Sequence, residues 1–493
     1  MKQVFLWISF LVSAVPAMAA GEDACVATLP KLREMSKVSI VLAGENLRSP
    51  VSMFGHTFLV FHNEEFPEPD AITFEFIGVT TGDSWFALRA LAGFLPGRYR
   101  LGCFQYKQAE YEQESRDLWS YQIKLDDQQR MRLDGLVDSS LAEQPDYGFS
   151  RTNCAARIYH VVLESLPAPV PFELVHVPIK GLRHLKDVGA LEDGGRSAAS
   201  ALRELRHGFS KLSRSERSEF RALKGGASPI HSTPAVKSVL SKYVNYQYRR
   251  EPVAQRRTEL FRLKQQVEAG SDEVPLRDPL LGVGKNQVRL GFMAKENTWL
   301  LGFSPGVETI WNRDSDSMSF SELEFLGFEL FRSKQKFGLS RFTLFSLDAL
   351  SVGDEFDGSF VSKFEIAYRD YEVWSGRETK QASMKFGAGY GMKLFSRAAF
   401  SLMPVISGGY FSKDVGGGMR GELGARIRLA VSAPYGFGFQ VSHEWLPTEA
   451  AGFRNLTVGD LILYSKSDFS VGATAYWFDF QRLRVAGSIA YRF

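Results

Sequence analysis

The sequence predicts an exported protein with an α+β N-terminal domain, a helical connector and a C-terminal antiparallel β-barrel of about 12 strands. Three observations predict this order: an apolar N-terminal segment with a cleavage site, a polar stretch with helical spacing, and a long region of alternating apolar and polar residues. At 493 residues the chain is too long for one ordinary hydrophobic core. The predicted segments are 1–20, 21–167, 168–285 and 286–493.

Residues 1–20, MKQVFLWISFLVSAVPAMAA, have the features of a secretory signal peptide. A lysine precedes an apolar run over 4–15, and a small-x-small cleavage site follows at 17–19. The apolar run is short for a membrane span, so a retained anchor is the less favoured alternative. The mature chain is therefore expected to be exported.

The composition suits a β-rich, membrane-associated protein better than a cytosolic α/β enzyme. The chain contains 39 Phe, 17 Tyr, 8 Trp and 44 Gly, with only 3 Cys. The formal net charge of +3 is close to neutral for this length, whereas nucleic-acid binders usually carry a clear basic excess. We therefore do not expect the protein to bind nucleic acid.

Three cysteines remain after cleavage: Cys25, Cys103 and Cys154. In an oxidising compartment an odd number leaves at least one free thiol or an intermolecular partner. A disulfide between Cys25 and Cys103 is one possibility, and it would leave Cys154 free.

The region 168–285 is polar and basic and has the spacing of helices. In ALRELRHGFSKL, from residue 201, apolar side chains recur at three and four residues, which indicates an amphipathic helix. Ser213 and Glu216 can form a capping box for the next helix. Pro234, Pro252 and a GVGKN turn interrupt the pattern, so we expect a helical connector or a small helical domain.

From about residue 286 the hydrophobic period becomes two. In ASMKFGAGYGMKLF one face is apolar, and the other carries serine, lysine and glycine. The same alternation recurs in GELGARIRLAV and QRLRVAGSIAYRF. Such segments between turn signals give about 12 strands of about 10 residues, which lies within the range of transmembrane barrels.

A soluble β-sandwich also alternates, with its apolar face turned inward. Long segments, a polar face rich in glycine and charge, and aromatic residues near strand ends favour the membrane barrel. The chain ends on an alternating strand with Phe493, as the assembly signals of bacterial outer-membrane barrels do. The carboxylates Glu322, Glu324 and Glu329, crowded into one segment, argue against this assignment. The barrel predicts the outer membrane of a Gram-negative bacterium as the location.

A histidine, a carboxylate and a cysteine occupy positions that suit thiol catalysis. In SPVSMFGHTFLVFHNEE, His56 precedes a strand at 57–61, and the next predicted strand, AITFEFIGV, carries Glu75. In RTNCAARIYHVVLESLP, Cys154 begins a helix that Asn153 or the preceding threonine can cap. A helix N-terminus and an imidazolium lower a thiol pKa, and a third polar group fixes the imidazole tautomer.

Each of these residues also has a structural explanation. A lone cysteine in an apolar helix is often core packing, His56 can be a satisfied core histidine, and Glu75 can face solvent. His62 competes with Glu75 for the third role, and Asn153 and His160 are weaker candidates. No HExxH, CxxC, phosphate-loop or GxSxG motif is present, so neither a metal nor a cofactor is expected.

Four blocks of the sequence resemble a known family. SPVSMFGHTFLVF, ALAGFLPGRY, YEQESRDLWSYQIKL and YGFSRTNCAARIYHVVLESL, within about 38–167, are similar in order and content to the Lnb N-terminal periplasmic domain, formerly domain of unknown function 4105. KYVNYQYRR and SELEFLGFELF resemble later parts of long members. Arg116, Asp117 and Trp119 belong to the family motif, and we interpret them as structural.

The resemblance extends to circularly permuted papain-like hydrolases and acyltransferases, including lecithin:retinol acyltransferase, through the His-before-Cys order and the NC helix. It implies a papain-like α+β domain with Cys154 as nucleophile, His56 as base and Glu75, in preference to His62, as the third residue. The implied substrate is an envelope amide or ester: a peptidoglycan peptide, a lipoprotein or a lipid. The predicted barrel and its terminal phenylalanine give the outer membrane and its assembly machinery as the expected partners.

The alternative is a non-catalytic module for envelope assembly or binding, in which Cys154 is structural. An accessible thiol with a low pKa would distinguish the enzyme from this module.

Overall fold

The computed structural model describes residues 32–493 except 47–54, 64–70, 80–85, 167, 172, 225–231, 252–255, 257, 261–273, 275, 277, 282–284, 309–320, 352, 373–378, 396, 413–417, 433–436, 446–454 and 467. The predicted signal peptide and Cys25 lie outside the described residues. The chain divides into two compact units, Met1–Leu281 and Gly282–Phe493.

The first unit is built on an antiparallel sheet of seven strands. They are β1 Lys37–Ala43, β2 His56–His62, β3 Ile72–Gly78, β4 Leu95–Cys103, β5 Leu118–Gln122, β6 Asp146–Tyr147 and β7 Arg196–Ala198, in the order β6-β4-β3-β2-β1-β5-β7. The central strands β1 and β2 are buried along nearly their whole length, which explains why KVSIVLA and HTFLVFH are apolar runs.

Between the end of β3 and Ser165 in chain order, the described residues form four helices: α1 Phe86–Ala92, α2 Phe104–Gln113, α3 Asp127–Ser140 and α4 Cys154–Ser165. Phe104 and Tyr111 of α2 pack on Phe58 and Val60 of β2 in one apolar cluster. Helix α4 packs against β2 and β3. The sheet and these helices therefore hold the ends of β2, β3 and α4 close together.

The other helices among the described residues of the first unit are α5 Pro178–Asp187, α6 Ala201–Lys211, α7 Arg214–Lys224 and α8 Pro234–Arg250, with short 3-10 turns at Leu32–Glu34 and Pro279–Leu281. The predicted capping box is confirmed: Ser213 and Glu216 exchange hydrogen bonds of 2.8 and 3.3 Å at the start of α7. Cys103 is disulfide-bonded, and Cys154 is a free, buried thiol.

The second unit is a closed antiparallel barrel. Its strands are β8 Gln287–Met293, β9 Thr298–Ser304, β10 Gly306–Glu308, β11 Glu322–Arg332, β12 Phe337–Ser351, β13 Phe360–Asp370, β14 Lys380–Phe395, β15 Ala398–Phe411, β16 Gly418–Ser432, β17 Gly438–Trp445, β18 Asn455–Lys466, β19 Phe469–Phe478 and β20 Arg482–Arg492. Strands β11 to β20 pair in sequence, β20 pairs with β8, and β9 closes the ring on β11. Twelve strands form the ring and β10 is an added pairing on β11, which confirms the predicted barrel.

The two faces of the barrel are arranged opposite to those of a soluble sandwich. In β14, Phe386 and Tyr390 are 45% and 65% exposed, whereas Lys385 is buried. In β16, Leu423 is exposed and Arg428 is buried. Because the apolar face points outward and the charged face inward, the β-sandwich alternative is wrong and the lipid-facing barrel holds.

The acidic segment that argued against a barrel is accommodated inside it. Glu324 accepts hydrogen bonds from Ser304 at 2.6 Å and Arg341 at 3.1 Å. Glu329 pairs with Arg289, and Ser340 donates to its carboxylate at 2.8 Å. These carboxylates therefore carry cationic and hydroxyl partners in the interior, and none of this charge has to face lipid.

Candidate active site

His56 stands at the first position of β2, directly after a glycine that the backbone requires. Gly55 has a φ of +92°, and a Cβ placed there would lie 2.8 Å from the carbonyl oxygen of Ala43. The His56 ring lies against Phe58 and Tyr111, with centroids 5.9 and 6.4 Å away. The glycine sets the entry of the strand, and these aromatic rings limit the orientations of the imidazole.

Cys154 is the first residue of α4, and the asparagine before it holds that helix end in place. Asn153 Oδ1 accepts from the backbone N–H of Ala156 at 3.0 Å, as an N-cap does. Its Nδ2 donates to the carbonyl oxygens of Phe149 at 2.9 Å and His176 at 2.7 Å. The sulfur therefore sits in the first turn of a capped helix, where backbone N–H groups favour an anion.

The three predicted site residues come together. His56 Nε2 lies 3.0 Å from Glu75 Oε2, and the His56 side chain also hydrogen-bonds Cys154. Since Nε2 is engaged with Glu75, Nδ1 is the ring nitrogen left for the sulfur. The backbone N–H groups of Thr57 and Ala155 also hydrogen-bond the sulfur.

The electrostatics favour the charged forms of the Cys154–His56 pair. Burial disfavours the imidazolium, but the charge and hydrogen bond of Cys154 and the carboxylate of Glu75 outweigh burial and raise the pKa of His56 to about 9. Burial likewise opposes the thiolate, but the charge and hydrogen bond of His56 and two backbone N–H groups lower the pKa of Cys154. At pH values between the lowered pKa of Cys154 and the raised pKa of His56, the stable state is therefore a thiolate beside an imidazolium.

The two oxygens of Glu75 have different partners. Oε1 receives Arg100 Nε at 2.7 Å and Lys107 Nζ at 3.0 Å, which leaves Oε2 for His56. The Glu75 side chain is fully buried. Burial opposes its charge, but Lys107, the hydrogen bond with His56 and Arg100 hold its pKa far below the ordinary value. Glu75 is therefore a fixed carboxylate behind the imidazole.

The other candidates have different surroundings or different partners. His62, at the opposite end of β2, has Nε2 2.9 Å from Ser39 Oγ and is buried. His160 is an exposed residue of α4. Asn153 caps the helix, as described above. Of the two candidates for the third position, Glu75 is the one that the structure places on His56.

The motif residues Arg116 and Asp117 support the sheet, in agreement with their structural interpretation. Arg116 donates to the carbonyl oxygens of Ala43 at 3.2 Å and Gly44 at 2.6 Å, just beyond β1. Asp117 pairs with Arg203 at 2.6 Å at the start of α6. These contacts fix the end of β1, whose Ala43 is paired with His56.

Sequence reasoning missed Arg100 and Lys107. Arg100 lies directly across from Glu75 in the β3–β4 ladder. The alternation of side chains along β4 could therefore have indicated Arg100 as a cross-strand partner of Glu75. Lys107 is one lysine on a polar helix, where a solvated side chain is the ordinary expectation, yet it is 3% exposed. Nothing in its local sequence indicates a buried partner.

Within the described ranges, no group of three or more His, Cys, Asp or Glu side chains is arranged to hold a metal ion. In the same part of the chain, no helix is both long and apolar enough to cross a bilayer.

The comparisons with known proteins bear first on the N-terminal unit. Residues 32–187 match the family model described as the Lnb N-terminal periplasmic domain. The match contains His56, Glu75 and Cys154 and lies wholly within the first unit. A comparison with curated proteins found no match.

Solved structures similar to this chain include porins and an outer-membrane protein. The NanC porin aligns over 42% of this chain and 98% of its own, at 10% identity and a TM-score of 0.27. Omp33 of Acinetobacter baumannii aligns over 43% and 98%, at 10% identity and a TM-score of 0.22. A mutant of the Rh. blastica porin aligns over 43% and 99%, at 6% identity and a TM-score of 0.16.

The chain therefore has a first unit that matches the Lnb N-terminal periplasmic domain model over residues 32–187, and a second unit that is a closed 12-strand antiparallel β-barrel with an apolar outer face. It is a protein of the cell envelope, located in the periplasm and the outer membrane.

Proposed function

We propose that the N-terminal unit is a periplasmic thiol hydrolase or acyltransferase of the circularly permuted papain-like kind, anchored by its barrel. The observation that carries the proposal is the chain of contacts from the Cys154 sulfur through His56 to the buried carboxylate of Glu75. A nucleophile, a base and an orienting group in hydrogen-bond contact are the parts that nucleophilic acyl transfer requires.

In the first half of the reaction, the Cys154 thiolate attacks the carbonyl carbon of an amide or ester and a C–S bond forms. The C–N or C–O bond breaks, and His56 transfers its proton to the departing amine or alcohol. In the second half, water or an acceptor amine or alcohol loses a proton to His56 and attacks the acyl-thioester. The C–S bond breaks, and the thiolate–imidazolium pair is restored.

Glu75 acts on the imidazole and not on the substrate. With Oε2 on Nε2, it fixes the tautomer and the ring orientation that aim Nδ1 at the sulfur. The cations on Oε1 keep Glu75 ionised when the imidazole is neutral, so the carboxylate remains an acceptor throughout the cycle.

The location narrows the substrates to envelope amides and esters: peptidoglycan peptides, lipoproteins or lipids. The non-catalytic alternative, with Cys154 as a structural residue, rests on one observation, namely that this residue is only 6% exposed.

An activated aryl ester tests for the acyl-enzyme. The full chain in detergent micelles is mixed with a short-chain nitrophenyl ester, and the expected result is a burst of one nitrophenolate per chain with the acyl group on the Cys154 peptide by mass spectrometry. Cys154→Ser removes the burst, because a serine in this site lacks the lowered pKa of the thiol. His160→Gln, an exposed change on the same helix, is the matched control and retains it.

A wild-type chain that gives no burst and no acyl group on Cys154, while remaining folded, would contradict the proposal and favour the non-catalytic module.

A further inference from the structure

The interior of the barrel is crossed by charged side chains that pair with one another. Asp348 on β12 pairs with Arg426 at 2.5 Å and with Arg428 at 3.1 Å, both on β16. Strands β12 and β16 are not neighbours, since three strands separate them in the ring. These ion pairs therefore run through the lumen and not along the wall.

A second set of contacts bridges the full width of the ring. Gln440 on β17 donates from Nε2 to Glu322 on β11 at 3.1 Å. In a ring of twelve, β11 and β17 are six strands apart in both directions, so they face each other across the lumen. Direct hydrogen bonding between opposite walls narrows the lumen at that level.

Gln440 joins these two sets into one network. Its Oε1 accepts from Arg428 Nε at 3.0 Å and Nη2 at 2.7 Å, and its Nε2 also donates to Asp460 at 3.0 Å. Arg428 in turn lies 3.4 Å from Glu322 and is 1% exposed. We name the connected residues the septum: Glu322, Asp348, Arg426, Arg428 and Gln440.

The space left beside the septum is a polar cavity of about 320 Å³. Its lining contains as many carboxylates as cationic side chains, among them Lys385, which pairs with Glu444 at 2.6 Å, and Arg369, which pairs with Glu365 at 2.7 Å. Because charges of both signs are balanced, the lining has no excess of one sign that would attract ions of the opposite sign.

We propose that the barrel is a closed membrane anchor and not a diffusion pore, because the septum of its own side chains blocks the lumen. Twelve strands lie between barrels filled by side chains and barrels that leave an aqueous channel, so the side chains decide the outcome. Opening would separate buried charges from their partners, which a folded barrel resists. This inference is independent of the thiol chemistry.

Conductance of the full chain in a planar lipid bilayer tests the proposal. The wild-type chain is expected to give no current steps. The charge-neutral triple variant Glu322→Ala, Arg428→Ala, Gln440→Ala is expected to give discrete steps, because it removes the bridge between opposite walls. Gln440→Ala alone removes the shared partner of Arg428, Glu322 and Asp460, and is expected to give smaller steps.

The matched control is Lys336→Ala with Glu372→Ala, which removes an ion pair of no net charge between the β11–β12 and β13–β14 connections and is expected to remain silent. Heat-dependent migration in gels shows whether each barrel is folded. Current steps from the wild-type chain, silence of both folded septum variants, or equal steps from the control would overturn the proposal.

Discussion

Single residues fix the position of the imidazole before any chemistry takes place. Gly55 turns the chain into β2 with a φ that other residues rarely adopt, and its missing Cβ gives room to the Ala43 carbonyl. Aromatic rings and Glu75 then limit the rotation of His56. The backbone, as well as the side chains, therefore sets the geometry around Cys154.

Gly55→Ala is expected to destabilise the first unit by about 2 kcal/mol, because it combines a strained φ with a close backbone contact. Gly135→Ala is the control: that glycine is exposed in the interior of α3 with open space around it, and alanine there should stabilise by about 1 kcal/mol. Thermal unfolding followed by circular dichroism measures both. Equal effects of the two changes would contradict the role given to Gly55.

At the scale of elements, α2 supplies a buried cation to β3. Lys107 reaches Glu75 from the helix at 3.0 Å, and Arg100 reaches it from the neighbouring strand. Because burial opposes a charged carboxylate, these two elements make it possible for Glu75 to lie fully buried and ionised.

Lys107→Met is expected to lower the free energy of unfolding by about 3 kcal/mol at neutral pH, since it leaves a buried carboxylate short of one cation. The folded pKa of Glu75 is lowered from 4.5, so the contribution of its ion pairs is complete above that value and is lost as the pH falls below it. The difference between variant and wild type should therefore shrink in acid.

Denaturant unfolding of both chains at neutral and acidic pH measures this difference. Lys124→Met, which removes an exposed lysine, is the control and should have a small effect at both pH values. A difference for Lys107→Met that stays constant from neutral to acidic pH would contradict its pairing with Glu75.

Features that depend on neighbouring residues in the sequence could be predicted, whereas features that depend on how distant elements pack could not. Helix α4 begins at Cys154 behind an Asn153 cap, as its periodicity and capping residues indicate. The contact between Glu75 and His56 depends on how β2 pairs with β3, which no local pattern specifies, so His62 remained an alternative. Lys107 gave no signal, because its burial depends on where α2 packs.

At the scale of the whole molecule, the barrel could be predicted from the alternation of apolar and polar residues over many strands. The contacts that close its lumen could not be predicted in this way. Alternation specifies which face of each strand is polar, and the exposed apolar face confirms it. Contacts such as Gln440 with Glu322 join strands on opposite sides of the ring and exist only after closure. The sequence can therefore predict the strands that form the wall of such a barrel, but not which side chains contact one another across the lumen.

The pH dependence of iodoacetamide alkylation at Cys154, in the full chain in detergent, tests the central claim most directly, namely that this thiol is activated by His56. A lowered thiol pKa means that the thiolate, and hence rapid labelling, should persist well below the ordinary thiol value of about 8.5. His56→Gln should shift the midpoint upward, because burial then acts without the imidazolium, and His62→Gln should leave it unchanged. A wild-type midpoint at or above the ordinary value that His56→Gln does not move would contradict the account.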